Sequence, residues 1–87
     1  MIIMEYYLYI LYSKTLARYY VGSTKDISVR LEKHLQSNRG FTSTAKDWKL
    51  CYSEKFDSKE IGLAREREIK RWKSRKMIEK LIANNSD

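Results

Sequence analysis

Residues 5–12 read Glu5-Tyr6-Tyr7-Leu8-Tyr9-Ile10-Leu11-Tyr12, and both alternating faces of this run are apolar. A strand with Tyr7, Tyr9 and Leu11 on one side and Tyr6, Leu8, Ile10 and Tyr12 on the other has no water-facing side. It is therefore expected to be covered on both faces. Residues 17–22, Ala17 to Gly22, predict a second strand, and the short connection around Lys14-Thr15 implies an antiparallel hairpin. A two-residue loop there would put Tyr9 directly opposite Tyr20, and any even-numbered loop keeps both phenols on one face. Residues 48–55 predict a third strand, alternating Trp48, Leu50 and Tyr52 with Lys49, Cys51 and Ser53.

Elsewhere the spacing is helical. A first helix starting near Thr24 or Asp26 and running to about Gln36 carries Ile27, Leu31 and Leu35 on one face. Gly40 falls in the loop that follows, and Thr42–Lys46 predicts a short helical turn. The second helix has Asp57 as N-cap, Glu60 completing a capping box, and Phe56 packing on Ile61 as a hydrophobic staple; it runs to about Trp72. A third helix, 74–83, turns Met77, Ile78, Leu81 and Ile82 to the core before the polar tail Asn84-Asn85-Ser86-Asp87 frays. The order is β-β-α-β-α-α: a small three-stranded antiparallel sheet flanked by helices, of the α+β class. Without proline, repeats or low-complexity tracts, residues 1–87 are expected to form a single domain.

Composition adds a setting and a partner class. The single cysteine, Cys51, excludes an intrachain disulfide and is expected in the core of a protein kept in the reducing cytoplasm. The N-terminus has no basic start and no apolar run of membrane-spanning length, so no membrane association is expected. Eighteen Lys plus Arg against 11 Asp plus Glu give a net charge of +7, which points to a polyanion as partner. Nine of those basic residues and only four acids lie in residues 59–80, making that half the phosphate-facing surface.

Three groups of residues could carry chemistry. Tyr9 and Tyr20 could share a proton or orient a water, although with seven tyrosines in the chain the plainer reading is amphipathic core. Arg30 and His34, four apart, share a helix face beside the Ile27/Leu31/Leu35 stripe; they could grip and protonate a phosphate, or simply cover apolar surface. Glu66 and Glu68 lie on the charged helix, where a carboxylate could hold Mg²⁺ or could merely pair with neighbouring Arg and Lys. Periodicity does not choose between the two glutamates. Gly-rich phosphate loops, zinc spacings and Ser-His-Asp sets are absent from the sequence, which has one histidine.

In this order the elements resemble the GIY-YIG nuclease superfamily in its small, stand-alone bacterial form. The first motif stands as Tyr7-Leu8-Tyr9, matching the family name only at its last tyrosine, and the second as Tyr20-Val21-Gly22. Ser23-Thr24-Lys25-Asp26, then Arg30 and His34, match the first-helix pattern. Ala64-Arg65-Glu66-Arg67-Glu68-Ile69-Lys70-Arg71-Trp72 is similar to the second-helix segment and aligns Glu66 with the metal-binding glutamate. The resemblance implies hydrolysis of DNA phosphodiesters with one divalent metal, Mg²⁺ or Mn²⁺, and no small-molecule cofactor. It assigns Tyr9, Tyr20, Arg30, His34 and Glu66 to catalysis. Glu66 would hold the metal, Arg30 would contact the phosphate, and Tyr9 or Tyr20 would orient or deprotonate water. His34 would position these groups or relay a proton, and Gly22 would let the strand approach the first helix. Lys25, Arg65, Lys70, Arg71 and Lys73 are the expected DNA contacts. Two features depart from the pattern. Only Asn84 and Asn85 could answer to an asparagine that some members carry late in the chain. Arg39 and Lys46 do not align with a further basic position after the first helix. The expectation is a weakly sequence-selective endonuclease; a nucleic-acid-binding module that cuts poorly, or a basic surface for an acidic protein, are the alternatives.

Overall fold

The computed structural model describes residues 5–36 and 44–85, and among these the elements follow the expected order. Strand β1 (Tyr6–Ser13) is followed by β2 (Arg18–Thr24), helix α1 (Ile27–Gln36), β3 (Lys49–Phe56), α2 (Lys59–Trp72) and α3 (Arg75–Asn84). The sheet is antiparallel in the order β2-β1-β3, so β1 is central. It is covered on both faces, as its doubly apolar sequence requires. On one side Leu8 and Ile10 join Val21 and Ile69 of α2, with Phe56, Trp72, Ile78 and Leu81 packed around them. On the other, Tyr9 and Leu11 join Ala45 and Trp48, flanked by Ile27, Leu31 and Leu35 of α1.

The hairpin register differs from a two-residue loop. Ser13 pairs with Arg18, Leu11 with Tyr20 and Tyr9 with Gly22, across a four-residue turn at Lys14–Ala17. A distant carboxylate sets that turn. Asp47 accepts from Ser13 Oγ at 2.6 Å and from the amide and hydroxyl of Thr15 at 2.9 Å, while Ser13 Oγ accepts from the Leu16 amide. The chain then leaves through Ala17 at a φ of 53°. Because the loop is still even, Tyr9 and Tyr20 remain on one face, diagonal to each other, with ring centroids 6.3 Å apart.

Strand β3 also departs from simple alternation. Tyr52 pairs with Ile10 but Leu50 pairs with Leu11, leaving Cys51 as the extra residue of a β-bulge. The bulge reverses the facing of what precedes it. Trp48 packs with Tyr9 and Leu11, whereas Tyr52 packs on the opposite face with Leu8 and Ile10. Cys51, expected in the core, is exposed, and its sulfur donates to the Ile10 carbonyl at 3.2 Å.

Helix starts follow local chemistry. Asp26 accepts from the Val29 amide at the start of α1. Ser58, not Asp57, caps α2, accepting from the Ile61 amide at 3.2 Å; Ile61 stays 53% exposed, while Phe56 joins the core instead of forming the expected staple. Ser74 caps α3 in the same way, and Asn85 donates back to the Leu81 carbonyl, so the helix and its cap take in Asn84 and Asn85, the first two residues of the tail expected to fray. Gly40, Arg39 and the first two residues of the predicted turn at 42–46 lie outside the described residues, as do Ser86 and Asp87. No described helix is long and apolar enough to cross a membrane.

Candidate active site

Two consecutive residues of β2 organise the site. Gly22 pairs with Tyr9, and the first side-chain atom of any other residue at 22 would fall 2.5 Å from the Tyr9 hydroxyl. The phenol therefore lies where only glycine leaves room, a closer constraint than the expected strand-to-helix approach. The hydroxyl is buried and lies 2.8 Å from His34 Nε2, on the last turn of α1. The Tyr20 ring and the imidazole meet in a T-shaped contact, with centroids 4.7 Å apart. Arg30, one turn back along α1, lies beside both phenols, and Tyr9 above all holds its guanidinium above the ordinary value.

The next residue, Ser23, faces the other side of the sheet. Its hydroxyl donates to Glu66 Oε1, and Lys70 Nζ approaches Oε2 at 2.6 Å. The carboxylate is mostly buried, with 19% side-chain exposure, and its charge reaches Tyr9. So Tyr9, Tyr20, Arg30 and His34 cluster on the α1 face and Glu66 on the α2 face, joined across the outer strand at Gly22-Ser23. Ser23 was matched to the first-helix pattern in the sequence but given no role at the site. Its position directly after Tyr20-Val21-Gly22 was the available signal.

The protonation states follow from burial and charge. Burial, with help from the neighbouring Tyr20, pushes the Tyr9 hydroxyl up to about 12, despite the downward pull of Arg30. For Tyr9 burial outweighs the nearby Arg30 cation. Burial and then the Arg30 charge hold His34 below the usual histidine range, so its imidazole is neutral at pH 7. A protonated phenol beside a neutral imidazole is a donor beside an acceptor, which suits proton relay.

Glu66 and Glu68 part company here. Glu68 is exposed and meets Arg65, whereas Glu66 points to the sheet and already holds the Lys70 ammonium. No group of three or more His, Cys, Asp or Glu side chains that could hold a metal occurs among the described residues. One carboxylate with a hydroxyl beside it suits a hard cation such as Mg²⁺, which keeps several waters and takes phosphate oxygens as further ligands.

The expected DNA contacts separate too. Lys25 is exposed between β2 and α1, and Lys70, Arg71 and Lys73 line the end of α2. Arg65 faces β3 instead, with Nε 2.8 Å and a terminal nitrogen 3.0 Å from the two oxygens of Glu54, and with Trp72 beneath it at 5.6 Å.

Comparison with known proteins decides the family: residues 5–80 match the model described as the GIY-YIG catalytic domain. The chain belongs to the GIY-YIG family. This nuclease family includes small relatives of similar length. A UPF0213 protein of Staphylococcus saprophyticus is 36% identical over 80 residues, covering 91% of this chain and 95% of the relative. A UPF0213 protein of Staphylococcus aureus N315 is 36% identical over 63 residues, covering 68% and 73%. The solution NMR structure of a UPF0213 protein from Bacillus halodurans superposes with a TM-score of 0.61 at 31% identity, covering 94% of this GIY-YIG chain and 86% of that one.

Proposed function

We propose that this GIY-YIG protein is a DNA endonuclease that hydrolyses phosphodiester bonds with Mg²⁺ or Mn²⁺ held at Glu66. The observation that carries the reading is the junction at Gly22-Ser23, where a phenol–imidazole pair and a guanidinium on one face adjoin a carboxylate on the other. The scissile phosphate lies over this junction. Bound at Glu66, the metal would neutralise charge developing on the phosphate and leaving oxygen. Arg30 contacts a non-bridging phosphate oxygen and stabilises the same charge. Tyr9 orients the attacking water; as the water proton moves to the phenol oxygen, the phenol proton passes to neutral His34, so no free phenolate is required. Tyr20, in T-shaped contact with the imidazole, fixes its plane. Lys25, Lys70, Arg71 and Lys73 take the flanking phosphates, and Arg65, locked to Glu54, is left to structure.

The second reading, a DNA-binding module of the same fold that cuts poorly, has one observation in its favour: a Tyr9 hydroxyl at about 12 keeps its proton at neutral pH and cannot by itself take one from water. One experiment separates the two. Supercoiled plasmid and a branched oligonucleotide are incubated with the protein and Mg²⁺ or Mn²⁺, alongside Glu66→Gln and Arg30→Ala. The expected result is metal-dependent cleavage reduced roughly a hundredfold or more in each variant. Intact substrate at every metal and salt concentration, with salt-sensitive binding retained, would establish the module instead. If Glu66→Gln cuts as well as wild type, the metal assignment fails.

A further inference from the structure

Beside Glu66, on the same face of the sheet, lies a cleft of about 570 Å³, bordered by Tyr20 and Lys70 but otherwise lined by residues outside the catalytic cluster. Its size falls within the ~300–1,000 Å³ of small-ligand pockets. Tyr19 and Val21 of β2 form one wall, and Ile69 of α2 and Ile78 of α3 the other. Its rim is cationic, carrying Arg18, Lys70, Lys73 and Arg75. Two of these have other duties: Lys70 meets Glu66, and Arg75 meets Glu79 and the Ala17 carbonyl while lying over the Tyr12 and Tyr19 rings. Arg18 and Lys73 have no carboxylate partner among the described residues. Glu66, against Lys70, and Glu79, against Arg75, are the acids that meet this rim.

An apolar slot under a positive rim matches an aromatic ring attached to a phosphate. The geometry points to a pocket for one unpaired nucleotide, its base between the β2 and α2–α3 walls and its phosphate at Arg18 and Lys73. Position relative to Glu66 supports this occupant. Val21 in the pocket and Ser23 at Glu66 are two residues apart on β2, about 7 Å along the strand, which is the span between neighbouring phosphates of an extended strand. A fully paired duplex keeps its bases stacked and cannot fill the slot, so the favoured substrates carry an unpaired nucleotide beside the cut: flaps, overhangs, gaps or single strands. This rests on the endonuclease reading for the identity of the cut, but not for the pocket itself.

The test is binding without metal. Fluorescence anisotropy in EDTA compares a single strand, a blunt duplex and the same duplex with an overhang, for wild type, Arg18→Gln and Lys73→Asn. Asparagine keeps the left-handed backbone that Lys73 adopts at φ 48°. The expected result is roughly tenfold tighter binding of overhang than of blunt duplex, the worth of about one captured base, and a loss of that preference in both variants. In parallel, dAMP is expected to shift the amide resonances of Tyr19, Val21 and Ser74, and inorganic phosphate to do so much less. Equal affinity for blunt and overhung duplex, variants that keep the preference, or dAMP acting no more than phosphate would each overturn the pocket. Cleavage of blunt duplex without preference would sink the pocket and leave the nuclease reading standing; binding preference without cleavage would do the reverse.

Discussion

At the scale of single residues, the tightest constraint is the missing side chain of Gly22. Gly22→Ala puts a methyl 2.5 Å from the Tyr9 hydroxyl, inside any permitted contact, so the phenol must leave His34. The expected outcome is a folded protein, by circular dichroism, whose cleavage falls at least as far as in Tyr9→Phe, about a hundredfold if the relay operates. His34 gives a second prediction with a definite sign. Its imidazole is held below the usual range, so a relay that uses the neutral form should make cleavage rise with pH through a midpoint below the ordinary histidine value of about 6.5. His34→Gln, which cannot titrate, should lose that acid limb. The same depression means the folded state binds fewer protons than the unfolded chain. Stability from this group is present above about pH 6.5 and lost as pH falls toward the folded value, and urea melts at pH 7.5 and 5 should show it for wild type but not for His34→Gln. Tyr9, Tyr20, Arg30, His34 and Glu66 were singled out through motif resemblance, and the fold gathers the first four on one face of the sheet and Glu66 on the other, joined at Gly22-Ser23. Ser23 was given no role, because a serine after a strand looks like any loop residue until a carboxylate from a helix 43 residues later reaches it.

At the scale of elements, order and type could be read from periodicity, and the errors came from residues that act at a distance. The hairpin register depends on Asp47, 32 residues beyond Thr15, which no local turn pattern reveals. Its hydrogen bonds from Ser13 and then Thr15 bring the carboxyl down to about 2. A lowered folded value means that its contribution is full above the ordinary carboxylate range and disappears as pH falls through about 2. Asp47→Ala should lower the melting temperature at pH 7 and broaden the amide resonances of residues 14–17. The cap of α2 was misplaced by one residue because aspartate and serine are both good caps and the sequence offers them side by side. Ser58→Ala is expected to cost about 1 kcal/mol in chemical denaturation, and Asp57→Ala close to nothing.

Across the whole molecule, the basic surface divides into cations that hold the fold and cations left for a polyanion. Arg65 belongs to the first group, bridging α2 to β3 through Glu54, whose carboxyl burial would raise but Arg65 and Tyr52 bring down. Arg65→Ala should destabilise the protein by about 1–3 kcal/mol, since it strands a mostly buried carboxylate, yet leave the salt dependence of DNA binding unchanged. Arg71→Ala should do the opposite: no change in stability, and a decrease of about one in the slope of log affinity against log salt. Net charge alone could not make this division, because it counts both groups alike. The two-faced sheet, by contrast, was legible from the eight residues of β1, whose composition leaves neither side for water.

The bulge at Cys51 has a consequence for how the length of this chain can change. A β-strand records facing by counting in twos, and the extra residue shifts that count once, between Trp48 on the α1 side and Tyr52 on the α2 side. Deleting any single residue from 49 to 51 would restore regular pairing and yet turn Trp48 out from beneath Tyr20, although no side chain of the site had been touched. Segment 48–52 should therefore tolerate substitution far better than deletion, Cys51 included. A library of single-codon deletions scored for folding should show a gap there.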